Sequence, residues 1–196
     1  MQFLKYLAYV LAALTIISMT LYVYYGGLKS INAAKAEHPE IYIAYKVYKG
    51  DYGKSYKTMK EVEAFLHADM NITGTPSGIG IYFDAPGTVS VENQRSIVGY
   101  ILTEEQYNSF PEENSKGVEK ASFPAFEAVY SAFPYKGAPS FMFAVAKIYP
   151  AFDKYISDNS FIPNASIEIY DMENKTIEIY MPIDIEYREI EVLFGV

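Results

Sequence analysis

Ile41-Tyr42-Ile43-Ala44-Tyr45-Lys46-Val47-Tyr48-Lys49-Gly50 alternates β-forming side chains and stops at a glycine, and its last three residues return 87 positions later as Tyr135-Lys136-Gly137. At the same offset Phe65 matches Phe152, and Phe83-Asp84 matches Tyr170-Asp171. Residues 41–48 therefore predict a strand. Residues 55–67 place Met59, Val62 and Leu66 on one helical face. Gly74 and Pro76 break the chain before a second strand over 78–83. Asp84-Ala85-Pro86-Gly87 is a turn, and 96–102 is a third strand. The second half repeats this order: a strand over 126–133 stopped by Pro134, a helix from about Ser140, and strands over 166–170 and 176–181 joined at Asp171-Met172-Glu173-Asn174. Phe141, Val145, Ile148, Phe152 and Ile156 form the expected inner stripe of that helix, which Pro150 should kink or split.

Two β-α-β-β units side by side predict an α+β fold. It consists of a mainly antiparallel sheet, two helices against it, and a central groove along a pseudo-two-fold axis. Such seams are preferred ligand sites. The repeats are assigned to 41–102 and 121–183 within a domain over 41–190, with residues 103–120 as a polar linker between them.

The 196 residues are 51% hydrophobic, enough for a core without staples, and carry a formal net charge of -8. Only Lys5 and Lys29 are charged within residues 1–30, so the rest of the chain is more acidic still. That sign argues against nucleic-acid binding. No cysteine is present, which removes disulfides and thiolate chemistry, and two histidines are too few for the usual metal centres. No cofactor or metal is expected. Tyrosine is in excess, with 20 residues against 16 Lys and Arg combined.

Tyr6 to Leu28 is uncharged and long enough to cross a bilayer as a helix, with tyrosines near both ends. A cleaved signal peptide has a shorter apolar run and a small-residue cleavage site. Residues 1–28 are therefore read as a single-pass membrane anchor and 29–40 as a juxtamembrane linker. The lysines are balanced on the two sides and assign no orientation.

Ile43–Gly53, Gly80–Pro86, Val129–Tyr135 and Ile177–Ile183 together resemble the GyrI-like small-molecule-binding domain family, also called the bacterial transcription activator effector-binding domain. Within it the chain resembles the membrane-anchored ER-phagy receptor type. The resemblance implies a duplicated β-α-β-β fold with an aromatic pocket over an acidic base, binding lipophilic, often cationic compounds. Some relatives hydrolyse cyclopropanoid toxins with the same carboxylate. The position matching that carboxylate is Glu178. No helix-turn-helix precedes the domain. Glu186-Tyr187-Arg188-Glu189-Ile190 has the pattern of an autophagy-adaptor ligand, a pattern common by chance.

Alternation in the last strand sets Ile177 and Ile179 on one face and Glu178 and Tyr180 on the other. By composition alone Glu178 would simply meet water, and the resemblance makes it the first candidate for the pocket. Glu168, with Tyr170 on its face, ranks second, and its repeat partner at the 87-residue offset is Ile81. Tyr45, Tyr82, Tyr100, Tyr130 and Tyr180 complete the candidate ligand-binding set. The leading reading is a membrane-anchored module that captures small apolar or cationic molecules. The alternatives are a hydrolase using Glu178 and a membrane-tethered interaction adaptor.

Overall fold

The computed structural model describes residues 2–74, 76–85 and 87–196. The expected turns at 74–76 and 84–87 therefore fall partly outside the described residues. Helix α1 spans Gln2–Tyr24. Eight strands follow: β1 (Ala34–His38), β2 (Ile41–Lys49), β3 (Gly78–Tyr82), β4 (Arg95–Leu102), β5 (Glu119–Phe123), β6 (Phe126–Pro134), β7 (Ser166–Asp171) and β8 (Thr176–Pro182). Helices α2 (Tyr56–Ala68), α3 (Glu104–Asn108), α4 (Pro139–Asn159) and α5 (Tyr187–Phe194) lie between and after them.

All eight strands join one curled antiparallel sheet in the order β1-β6-β8-β7-β3-β4-β2-β5. Read outward from the β7–β3 seam, β3-β4-β2 and β7-β8-β6 are the same path, so the duplication is visible as a two-fold relation of topology. Each repeat also lends a strand to the other. β1 precedes β2 in the chain but pairs with β6, and β5 precedes β6 but pairs with β2.

The period of each element fixes which face is buried. Ile41, Ile43 and Tyr45 of β2, Ile79 and Ile81 of β3, and Ile167 and Ile169 of β7 point into the concave face, which α5 closes with Ile190 and Phe194. The opposite face carries the two long helices. Val62, Phe65 and Leu66 of α2 pack on Ala44, Tyr100 and Leu102. Ala144, Ile148, Phe152 and Ile156 of α4, spaced by four, pack on Val129, Phe133, Ile177 and Ile179. The inner stripe of α4 thus starts at buried Ser140 and Ala144. Phe141 and Val145 lie on the adjacent flank. Helix α4 runs through Pro150 as one element, so the expected split does not occur.

Two segments read as linkers hold structure. Residues 29–40 contain β1. Residues 103–120 contain α3, started by a capping box between Thr103 and Gln106, and lead into β5, with Phe110 and Val118 buried under α2. A capping box needs a single polar residue at each of two positions, so a polar run conceals one easily. The adaptor-like motif is also absorbed by the fold. Ile190 is buried and Tyr187 is hydrogen-bonded to Arg95 and to the Phe83 carbonyl, both on α5. That correction removes the motif as an exposed extended ligand.

Helix α1 is the one described helix long and apolar enough to cross a membrane, with a mean hydropathy of 1.9 over its best window and no residue buried in the domain. A signal sequence satisfies the same test. The helix ends in a turn at Gly26, where φ is 92° and a Cβ would lie 2.6 Å from the Phe133 ring. Glycine is required there both by conformation and by the close approach.

Candidate functional site

Between α2 and α4, over the β3–β7 seam, lies a cavity of about 1580 Å³. Its floor is set by strand register. Gly80 pairs with Glu168, Gly78 with Tyr170 and Tyr82 with Ser166, and all six share the helix-facing side of the sheet. The two glycines make room for neighbouring side chains to lie flat on the floor. A Cβ on Gly80 would sit 2.7 Å from the Tyr82 ring, and one on Gly78 would sit 2.6 Å from the Met59 methyl. Tyr52, Tyr56, Tyr82, Tyr100, Tyr135, Phe141, Tyr149 and Tyr170 supply the aromatic wall.

Glu168 is the acidic group at the base, 7% exposed. Tyr149 Oη donates to its Oε1 at 2.8 Å, and Tyr170 Oη donates to its Oε2 at 3.0 Å. Tyr170 Oη lies 2.8 Å from Tyr82 Oη, and Tyr149 Oη lies 2.6 Å from Ser166 Oγ. Each hydroxyl has a single proton, so donation to the carboxylate fixes the rest of the order. Tyr82 donates to Tyr170, and Ser166 donates to Tyr149. Four hydroxyls are thereby oriented toward one carboxylate, an arrangement suited to its ionised form.

Burial opposes that form. It raises the Glu168 carboxyl above the usual glutamate value, while the Tyr149 and Tyr170 hydroxyls act in the other direction. The same burial, with the carboxylate alongside, pushes the Tyr149 and Tyr170 hydroxyls well above the ordinary tyrosine value. Among the described residues, no ion pair involves Glu168. Lys60, the basic side chain on the cavity wall, is paired with Glu63 at 2.6 Å. Burial and the neighbouring Glu63 push the Tyr100 hydroxyl up to about 12. The site is thus a buried carboxylate without a cation among the described residues, reached through an aromatic vestibule.

Tyr149→Phe tests the hydroxyl network. Removing one of the two donors weakens the stabilisation of the carboxylate, so the Glu168 titration should move further up. The change should cost about 1–3 kcal/mol of stability, the range for a buried partner left unmatched. A carboxyl-carbon NMR titration reads the first effect and urea unfolding the second. An unchanged Glu168 titration would show that Tyr149 does not hold the charge.

The sequence-derived candidates separate across the sheet. Glu168, Tyr82 and Tyr100 line the cavity. Glu178, Tyr180, Tyr45 and Tyr130 do not, so the carboxylate ranked first from the sequence lies away from this cavity. The reason is register. Ile177 and Ile179 pack under α4, so Glu178 and Tyr180 project from the other face of β8. There Tyr180 Oη donates to Glu178 at 2.8 Å, Tyr130 stacks obliquely on Tyr180 at 4.7 Å, and Tyr45 donates to Glu119 at 3.0 Å while meeting Phe194 edge-on. The structural repeat partner of Glu168 is Gly80 and that of Tyr170 is Tyr82. The strands therefore align at an offset of 88, and the 87-residue offset that pairs Phe83 with Tyr170 inverts the faces.

Tyr149 and Ser166 have no place in the sequence-derived candidates, and Tyr170 enters there only as the residue sharing Glu168's face. The available signal for Tyr149 is its spacing by four from Phe141 and Val145, a second apolar flank beside the inner stripe.

No family model matches the sequence. The chain is 30% identical over 154 residues to testis-expressed protein 264 homolog of Mus musculus, covering 75% of this chain and 48% of that protein. It is 28% identical over 168 residues to testis-expressed protein 264 of Homo sapiens, covering 82% and 51%. The chain spans about half the length of these curated relatives. Among solved structures, the EcmrR C-terminal domain matches with a TM-score of 0.55 at 17% identity, covering 79% of this chain and 98% of that domain.

Proposed function

We propose that this chain, which has the fold of the GyrI-like effector-binding domains and is a relative of testis-expressed protein 264 across that domain, is a membrane-tethered module that captures lipophilic cations. The single observation that carries the reading is Glu168. It is a buried carboxylate at the base of an aromatic-walled cavity, with hydroxyl donors but no basic partner among the described residues. A buried charge without a counter-ion is costly, and a ligand that brings the missing positive charge recovers that cost. Ring faces around it add about 0.5–2 kcal/mol each for a cation held against them. The α1 helix supplies the tether: 23 residues at about 1.5 Å rise match the roughly 30 Å of a bilayer core.

Titrating the full chain with crystal violet and with its neutral leuco form tests this reading. The cation should bind more tightly, and its advantage should grow as pH rises through the elevated Glu168 titration, because only the ionised carboxylate attracts it. Above that interval the affinity should level off. Equal binding of both dyes, or a cation affinity that falls with rising pH, would contradict the assignment. A carboxylate raised in this way is also a usable general base, so hydrolysis of a strained electrophile is the second reading. Stoichiometric, recoverable dye supports capture, and turnover supports hydrolysis.

A further inference from the structure

We infer that the α4 end of the cavity mouth seats in the lipid headgroup region, so that ligand reaches Glu168 from the bilayer surface. The inference rests on the proposed cation-binding reading and on α1 spanning a membrane. Four observations meet at one place. The end of α1 is docked on repeat two. Tyr22 meets Phe143 of α4 edge-on at 5.4 Å, Gly26 lies against Phe133, and Tyr25 lies against Gly137. Lys147 Nζ on α4 donates to the Lys29 carbonyl at 2.9 Å. The span therefore does not lead into a free linker but into a fixed contact with the β6–α4 corner.

That same corner walls the cavity through Tyr135, Phe141, Met142 and Val145. Met142 is 76% exposed although it is apolar and borders the opening. From this corner a continuous file of rings leads inward. Tyr135 meets Phe141 at 5.2 Å, Phe141 meets Tyr170 at 5.3 Å, and the Tyr170 hydroxyl binds Glu168.

Charge agrees with a lipid neighbour. The domain is acidic overall, yet Lys29, Lys136 and Lys147 gather where α1 ends, and Lys136 lies 4.9 Å above the Tyr24 ring. Among the described residues none of the three takes part in an ion pair. Lysines near a membrane surface are attracted to headgroup phosphates. Aromatic rings with polar tips, such as Tyr22, Tyr24 and Tyr25, favour the same depth. An amphiphilic cation concentrates at that depth too, with its charge among the headgroups and its chain in the acyl region. The cavity offers the same pairing, with apolar side chains at the β6–α4 corner and the Glu168 carboxylate beneath them.

The absence of cysteine allows single-site labelling without background. The full chain is reconstituted in phosphatidylcholine nanodiscs with a nitroxide on Met142→Cys or on Ile162→Cys, which lies just beyond the opposite end of α4 and is 82% exposed. Relaxation by oxygen and by a water-soluble nickel chelate reads depth. The expected result is a several-fold higher oxygen-to-nickel ratio at 142 than at 162. Equal, water-like ratios, or failure of the chain to insert, overturn the proposal even where crystal violet still binds. In the same discs, hexadecyltrimethylammonium held in the bilayer should displace crystal violet from the unsubstituted chain. Failure to displace bound crystal violet overturns entry from the bilayer. Absence of crystal violet binding with position 142 seated in lipid instead overturns the cation-binding reading beneath it.

Discussion

Replacing Glu168 by Gln should lower affinity for crystal violet by roughly tenfold to a hundredfold, since a hydrogen-bonded or ionic contact to a charged group contributes about 1.5–3 kcal/mol. Affinity for the leuco form should hardly change. Gln keeps the size of the side chain, accepts from Tyr149, and donates toward Tyr170, which can still donate to Tyr82. Glu178→Gln, on the concave face, should leave both dyes unaffected. Glu168→Gln should also change stability in a distinctive way. Burial raises the Glu168 titration in the folded chain, so the folded state holds its proton more tightly than the unfolded state. That contribution is fully present below the ordinary glutamate value and is lost as pH rises through the folded value. The ligand-free Glu168→Gln chain should therefore gain stability relative to wild type as pH rises through that interval, then hold a constant difference. A uniform loss for both dyes together with lower stability at neutral pH would identify structural damage instead.

Arg95→Met should be the most destabilising single change to the polar framework, at about 2–4 kcal/mol in urea unfolding. Arg95 binds both oxygens of Asp84, at 2.9 Å and 3.1 Å, and reaches Glu191 at 2.7 Å and the Tyr187 hydroxyl at 2.9 Å. One guanidinium thus fastens α5 to the β3–β4 connection and neutralises a carboxylate that is nearly buried. Met restores the volume but leaves Asp84 with the Arg95 backbone N–H as its remaining donor. The pH profile separates this from simple packing loss. Arg95 holds Asp84 below the usual aspartate value, so its contribution is present at neutral pH and lost as pH falls through that lowered value. Arg95→Met should flatten this part of the acid limb. A loss under about 1 kcal/mol would place the pair among exposed salt bridges of little consequence.

The order of the two β-α-β-β repeats was legible because each of their elements buries one face, and burial leaves a period in the sequence. The choice of carboxylate was not legible, for a physical reason. Ile167-Glu168-Ile169-Tyr170 and Ile177-Glu178-Ile179-Tyr180 are the same tetrapeptide on neighbouring strands. In the antiparallel register Glu168 lies opposite Ile179 and Glu178 lies opposite Ile169, so the two copies present their glutamates to opposite faces. Local sequence cannot separate identical strings; pairing register can. The discriminating signal lies on a third strand, where Gly78 and Gly80 stand opposite Tyr170 and Glu168 and admit the Met59 methyl and the Tyr82 ring over the floor. The polar stretch over 103–120 hid α3 and β5 for a related reason. Its structure depends on the Thr103–Gln106 cap and on two buried side chains, Phe110 and Val118, too few to leave a period.

A structure of the chain with crystal violet bound tests the central claim most directly. The dye is expected between α2 and α4, ringed by Tyr82, Tyr149 and Tyr170, with its cationic nitrogens and central carbon directed at the Glu168 carboxylate. Dye on the concave face against Glu178 and Tyr130, with none between α2 and α4, would contradict the account.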